Sequence, residues 1–199
     1  MDKVGIPLRR MIVALLGLFV VGCGGQLGGT AQGPCSLPQF RTFGVADSFA
    51  GGPDPIPYNP AFPQFVTFLN NNGIATANMK TFDDQTINRH MVATLRHGLR
   101  GCFGGAHALT LCFVARASSS LQTTNDSVTI YNTDFTNNTF PVVYSSAIAP
   151  TLTPTWNPNT TAGLCINLTT QMQSNQIGDM LQFRVQDDTS VDYIAMFLF

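Results

Sequence analysis

From Ala106 to Arg116, apolar side chains fall on both faces of a period-two repeat. His107, Leu109, Leu111, Phe113 and Ala115 share one face, and Ala108, Thr110, Cys112 and Val114 share the other. Successive side chains of a strand point to opposite sides, so a run with two apolar faces has to be covered on both. Such a strand belongs in the middle of a sheet packed against other layers. The stretch from Val191 repeats the pattern, with Val191, Tyr193, Ala195 and Phe197 opposing Asp192, Ile194, Met196 and Leu198. A second strand is therefore expected deep in the sheet, pinning residues that are loose at most termini.

Shorter strands between turn clusters make up the rest. Met91, Ala93 and Leu95 alternate with Val92, Thr94 and Arg96, as in a half-buried strand. Ile74–Phe82, Ser127–Tyr131, Phe140–Ile148, Leu164–Thr169 and Met180–Gln186 are further candidates. Two proline-rich crossings, Pro34–Pro63 and Pro150–Thr161, lack donors that a helix or central strand needs, and are expected to run over the surface. Phe62, Phe65, Phe68 and Leu69 keep helical spacing and predict a short helix over 62–69, with Asn70-Asn71-Asn72-Gly73 as its stop. Beyond residue 22 there is one lysine and no glutamate, so the residues that best support exposed helix faces are nearly missing. Threonine, asparagine, serine, glutamine and phenylalanine take their place. The expectation is an all-β chain forming a single antiparallel β-sandwich of seven to nine strands.

The N-terminal segment has a different character. Lys3, Arg9 and Arg10 precede the apolar run Met11–Val21, which as a helix would rise about 16 Å, roughly half of a hydrocarbon core. A signal-peptide core fits that length better than a membrane span. Val20-Val21-Gly22-Cys23 resembles the lipobox of bacterial lipoproteins. The resemblance implies cleavage after residue 22 and a diacylglycerol on the Cys23 thiol. Glycine-rich, uncharged residues 24–33 then read as a flexible tether. Gly24, not an aspartate, follows the cysteine, which in lipoproteins of two-membraned bacteria implies export to the outer membrane. The expected organisation is signal peptide 1–22, lipidated cysteine and tether 23–33, and sandwich domain 34–199, anchored to the membrane of the cell envelope.

Without the signal peptide, 177 residues remain, enough for one well-buried domain. They carry seven basic side chains against ten aspartates, a net charge of −3, so no basic stripe exists to neutralise phosphates and nucleic acid is not an expected partner. With Cys23 lipidated, Cys35, Cys102, Cys112 and Cys165 are left. An even number in an exported chain predicts two disulfides, and four cysteines allow three pairings. The preferred pairing joins Cys112 to Cys165, both inside predicted strands, and Cys35 to Cys102, both at element edges.

Leu109–Phe113 leading to Asn125-Asp126-Ser127-Val128, and Leu181–Val185 leading to Val191–Ile194, resemble the jelly-roll sandwiches of the galactose-binding-like class. Gln186–Asp192 also resembles the closing segment of uncharacterised exported bacterial domains. These likenesses span residues 80–199 and imply a fold; they carry no activity.

Several side-chain groups have a chemical reading. Asp187, Asp188, Thr189 and Asp192 bring oxygens together within six residues, and Ca²⁺ takes about six to eight oxygens. The spacing is not that of an EF-hand, and hairpin chemistry is the preferred account. Asn125-Asp126-Ser127 poses the same choice, and both clusters could serve one ion only if their loops share an end of the sandwich. His90, His97 and His107 match no zinc spacing and read as surface or strand-end histidines. Arg89 and Arg96, with Arg100 nearby, could grip carboxylates or acidic sugars. The competing account is pairing with aspartates, which is preferred. Trp156, Tyr58, Tyr131 and Tyr144 could offer a sugar platform, although a single tryptophan among prolines reads more readily as a plug in the core.

No nucleophile elbow, zinc-protease, P-loop or dinucleotide motif occurs. Three functions follow. A non-catalytic binding domain for glycan or another surface ligand ranks first and predicts an exposed aromatic beside amide side chains. A structural or protein-interaction envelope lipoprotein predicts buried aromatics and a flat polar surface. A hydrolase, ranked last, predicts a cleft with two opposed aspartates.

Overall fold

The computed structural model describes residues 35–54, 62–74, 79–118, 125–186 and 188–199. The signal peptide, Cys23 and the tether lie outside the described residues, as do Tyr58 and Asp187. Two sheets face each other. One holds β1 (Gln39–Gly44), β4 (Leu109–Ala117), β7 (Thr161–Asn167) and β9 (Thr189–Leu198) in the order β1-β9-β4-β7. The other holds β2 (Met79–Lys80), β3 (His90–Arg96), β5 (Ser127–Asn132), β6 (Val142–Ala147) and β8 (Met180–Val185) in the order β2-β3-β8-β5-β6. From β3 to β5 and again from β7 to β9 the chain changes sheet at each step, the jelly-roll-like crossing that a sandwich of this size uses. Pairing is antiparallel except between β2 and β3, a short parallel ladder at one edge.

The core lies between the sheets. Leu109, Leu111, Phe113 and Ala115 of β4 meet Met91, Ala93 and Leu95 of β3 and Leu181, Phe183 and Val185 of β8, all buried. Phe113 and Phe183 pack edge to face across the interface with ring centroids 5.2 Å apart. Full burial of each large apolar side chain contributes roughly 1.5–3 kcal/mol, and this layer is the main source of stability.

β9 is central and buried on both faces, as its pattern suggests, but the covering of β3 and β4 is the reverse of what periodicity suggests. On β4 only one face is fully buried; Thr110, Cys112, Val114 and Arg116 on the other are half-buried. β3, read as half-buried, is buried from Met91 to Leu95 on both faces. The cause is helix α1 (Pro63–Asn71), which lays Phe65 and Leu69 over Val92, Tyr131 and Phe140 to form a second small core. Its stop at Asn72 matches the sequence signal; its start is Pro63, the end of the expected proline-rich crossing, which suits the first helical turn. A buried polar chain latches this helix to the sheet. The Phe62 N–H donates to the Thr94 hydroxyl (3.0 Å), which donates to Gln182 Oε1 (2.8 Å), while Gln182 Nε2 donates to Thr133 Oγ1 (3.0 Å).

Both disulfides have the expected partners. Cys35–Cys102 joins the segment before β1 to the 3-10 turn Arg100–Gly105, and Cys112–Cys165 bridges a directly opposed pair of β4 and β7. Two bridges of this kind belong to an oxidising compartment outside the cytoplasm. Among the described residues no helix is long and apolar enough to cross a membrane.

The register shifts between β5 and β6 and again in β9, where the shift bears on a charged side chain. Phe113 pairs with Ile194 but Ala115 pairs with Val191, so β9 holds one residue more than β4 over this stretch. The bulge lets Val191, Ile194, Met196 and Leu198 all reach the core, and it turns Asp192 out of the core-facing set in which alternation placed it.

Candidate functional site

Asp192, released by the bulge, sits under the chain leaving β1. Gly44 ends that strand with φ +84°, and a Cβ there would lie 2.7 Å from the Asp192 carbonyl oxygen and 2.8 Å from the Phe82 ring. This close approach brings the next turn over the carboxylate. The backbone N–H groups of Asp47, Ser48 and Phe49 donate to Asp192 at 3.3, 3.3 and 3.4 Å, a concave set of donors of the kind that holds anions. Ser48 and Phe49 adopt positive φ to form it.

Asp83 approaches from the segment between β2 and β3. Its N–H donates to the Val191 carbonyl at 2.9 Å, which anchors it beside the bulge. The residue is 1% exposed, and among the described residues neither carboxylate oxygen meets a hydrogen-bond donor; the group facing it is another carboxyl, that of Asp192. Asp54, also buried, accepts the Val45 N–H at 3.3 Å. One oxygen from each of Asp47, Asp83 and Asp192 falls within 4.8 Å of the others. Burial, followed by the negative charges of Asp192, Asp47 and Asp54, pushes the Asp83 carboxyl up to about 8. Burial also raises Asp192, against the three N–H donors that favour its charged form, and raises Asp54 against the Val45 N–H.

The residues singled out by sequence are dispersed. Asp188 is buried and accepts the Asn88 N–H at 3.3 Å; among the described residues the carboxylate group contains Asp192 but not Asp188. The loops holding Asp126 and Asp188 do meet at one end of the sandwich, through the Thr189 hydroxyl donating to Asp126 Oδ2 at 2.8 Å. The same oxygen accepts the Trp156 indole N–H at 2.7 Å. Trp156 is 4% exposed in the main core, so it is a plug and offers no face to a sugar. Arg89 and Arg96 are exposed at opposite ends of β3, roughly 23 Å of extended chain apart, too far to grip one small ligand. Tyr131 is buried beneath α1 and Tyr144 is half-buried. His90 lies 3.4 Å from the Arg184 guanidinium, and His107 is exposed. His97 follows β3 directly, as a strand-end histidine should, but it is not at the surface: it is buried, stacked on Phe103, with Nδ1 accepting the Leu99 N–H at 3.0 Å.

A concavity that sequence reasoning did not find lies on the outer side of α1. Gln64, Thr67, Phe68, Asn71 and Asn72 of the helix and its cap face Asn138 and Phe140 of the β5–β6 connection across about 330 Å³. Its lining carries four amide side chains, one hydroxyl, two phenyl rings and no charge. Phe68 and Phe140 pack with centroids 5.2 Å apart, and Phe65 supports both from below. Nearby, Phe135 is 58% exposed and meets Phe62 edge to face at 5.3 Å. The turn bearing Asn138 is held by Asp134, which accepts from the Thr136 and Asn137 N–H groups and the Asn137 amide; these bonds, the side-chain one first, hold its carboxyl below the usual range. The available signal was the pairing of a phenylalanine-rich helix ending in Asn70-Asn71-Asn72 with the Asn137-Asn138 turn, which sequence alone reads as a helix stop and a loop. No protein-family model matches the chain, and no curated protein matches it significantly.

Proposed function

We propose that the protein is a non-catalytic binding domain of the cell envelope, lipid-anchored through Cys23 and directed to the outer membrane of a two-membraned host, that takes a neutral glycan in the groove beside α1. The observation that carries this reading is the lining: Gln64, Asn71, Asn72 and Asn138 around Phe68 and Phe140, without charge. Carboxamides both donate and accept, as sugar hydroxyls require, and the half-buried Phe68 ring offers an apolar face to a pyranose, with the buried Phe140 ring backing it. The export signals and two disulfides support an envelope location.

The test is a screen of neutral oligosaccharides against the full chain in detergent by calorimetry, followed by Gln64→Ala and Asn71→Ala, both exposed positions. Binding that weakens at least tenfold in the double variant supports the reading; indifference to every sugar in the panel refutes it.

A second reading, a protein-interaction lipoprotein, draws on the exposure of Phe135 (58%) and Val142 (55%). Cross-linking in intact cells that captures a single envelope protein and is lost in Phe135→Ser would favour it. The hydrolase reading has the least support, because the carboxylates that converge share no residue with the groove.

A further inference from the structure

We propose that Asp47, Asp83 and Asp192 form a calcium site that fastens the β1 exit, the β2–β3 segment and the β9 bulge together. Asp83 is the decisive residue. Its carboxylate is 1% exposed, points at Asp192 and Asp47, and has no donor on either oxygen. A buried carboxylate without a partner is costly, and hydrogen bonding elsewhere in the fold is arranged to avoid that cost. The charges that bear on Asp83 are those of Asp192, Asp47 and Asp54, all negative. One proton shared with Asp192 would satisfy one oxygen and leave the other bare. A divalent cation satisfies both and neutralises the neighbours at the same time.

The donor chemistry selects the metal. Among the described residues the group contains carboxylate oxygens only, with no histidine or cysteine, which suits a hard cation rather than zinc or copper. The oxygens lie within 4.8 Å of one another, the spread that ligands about 2.4 Å from a common Ca²⁺ have, and they come from loops and a bulge rather than a rigid octahedral frame. Asp54, buried alongside, adds a further carboxylate. The site shares no residue with the groove, so it stands or falls independently of glycan binding.

The test is calorimetric titration of Ca²⁺ into EDTA-stripped full chain in detergent at pH 7.5, with thermal melting in parallel. The expected result is one bound ion per chain and a melting temperature raised by several degrees when Ca²⁺ is at about 100 times its Kd. Asp83→Asn should abolish the heat and the shift while melting no lower than the stripped wild type, since it removes a buried carboxyl that no donor satisfies. Asp47→Asn, on the open side of the site, keeps the fold and should weaken binding at least tenfold if Asp83→Asn fails to express. Absence of heat and shift at 10 mM Ca²⁺, or an undiminished response in these variants, would overturn the assignment.

Discussion

The Asp126 carboxylate holds the indole N–H of Trp156 at 2.7 Å and the hydroxyl of Thr189 at 2.8 Å on the same oxygen, both inside the sandwich. Removing the acceptor leaves two buried donors without it. Asp126→Ala is expected to cost about 3 kcal/mol, at about 1–3 kcal/mol for each buried group left unsatisfied. Urea denaturation followed by the emission of Trp156, the one tryptophan of the chain, reads this directly.

His97 gives stability a pH dependence. Burial holds its pKa down to about 4, against the Asp179 carboxylate and Gly178 carbonyl, which favour charge, while Arg41 opposes charge. Between about 4 and the unfolded value of about 6.5, the unfolded chain binds a proton that the folded chain does not, so stability rises with pH across that window and is lost as pH falls through it. The contribution is at most about 3 kcal/mol. The raised carboxyls of Asp83, Asp192 and Asp54 act in the opposite sense in both proteins, so the His97 share is read as a difference: melting curves from pH 4 to 7 should show the wild type gaining on His97→Gln as pH rises.

Gly44 is the hinge on which the carboxylate cluster depends. An alanine there would meet both a left-handed φ of +84° and backbone at 2.7 Å. Gly44→Ala should destabilise by about 2 kcal/mol or more. It should also shift the amide resonances of Asp47, Ser48 and Phe49, whose bonds to Asp192 need that approach; an unchanged spectrum would contradict this role.

The two disulfides close loops of 67 and 53 residues, for which the chain-entropy treatment gives about 4 kcal/mol each. Cys112→Ser with Cys165→Ser keeps a register already fixed by the β4–β7 ladder, so the paired variant should fold and melt lower. Chemical denaturation of this variant, and of the Cys35/Cys102 counterpart, measures each bridge separately.

The sandwich was legible because period-two runs such as Leu109–Ala115 state their own geometry, and the disulfides because Cys112 and Cys165 fall inside strand patterns while Cys35 and Cys102 fall at element edges. Cover was not legible. Whether Val92 or Val114 ends up beneath another layer depends on where α1 docks, and the two strands look alike until it does. The carboxylate cluster was hidden for a related reason. Asp192 was grouped with Asp187 and Asp188, its neighbours in the chain, whereas its spatial partners Asp47 and Asp83 lie far away in sequence. A one-residue bulge changes no composition and little local pattern, yet it decides which way Asp192 faces.

The Cys35–Cys102 bridge also fixes how the domain carries load. Among the described strands β1 pairs only with β9, at the edge of its sheet, and is the element that a pull from the N-terminal side would peel away first. The bridge lies ahead of β1, so tension arriving at Cys35 divides there, and part of it passes covalently to the turn between β3 and β4. Those two strands sit in opposite sheets. A pull arriving at residue 35 is thus passed directly to a turn that joins the two sheets, and the edge strand is spared from unzipping.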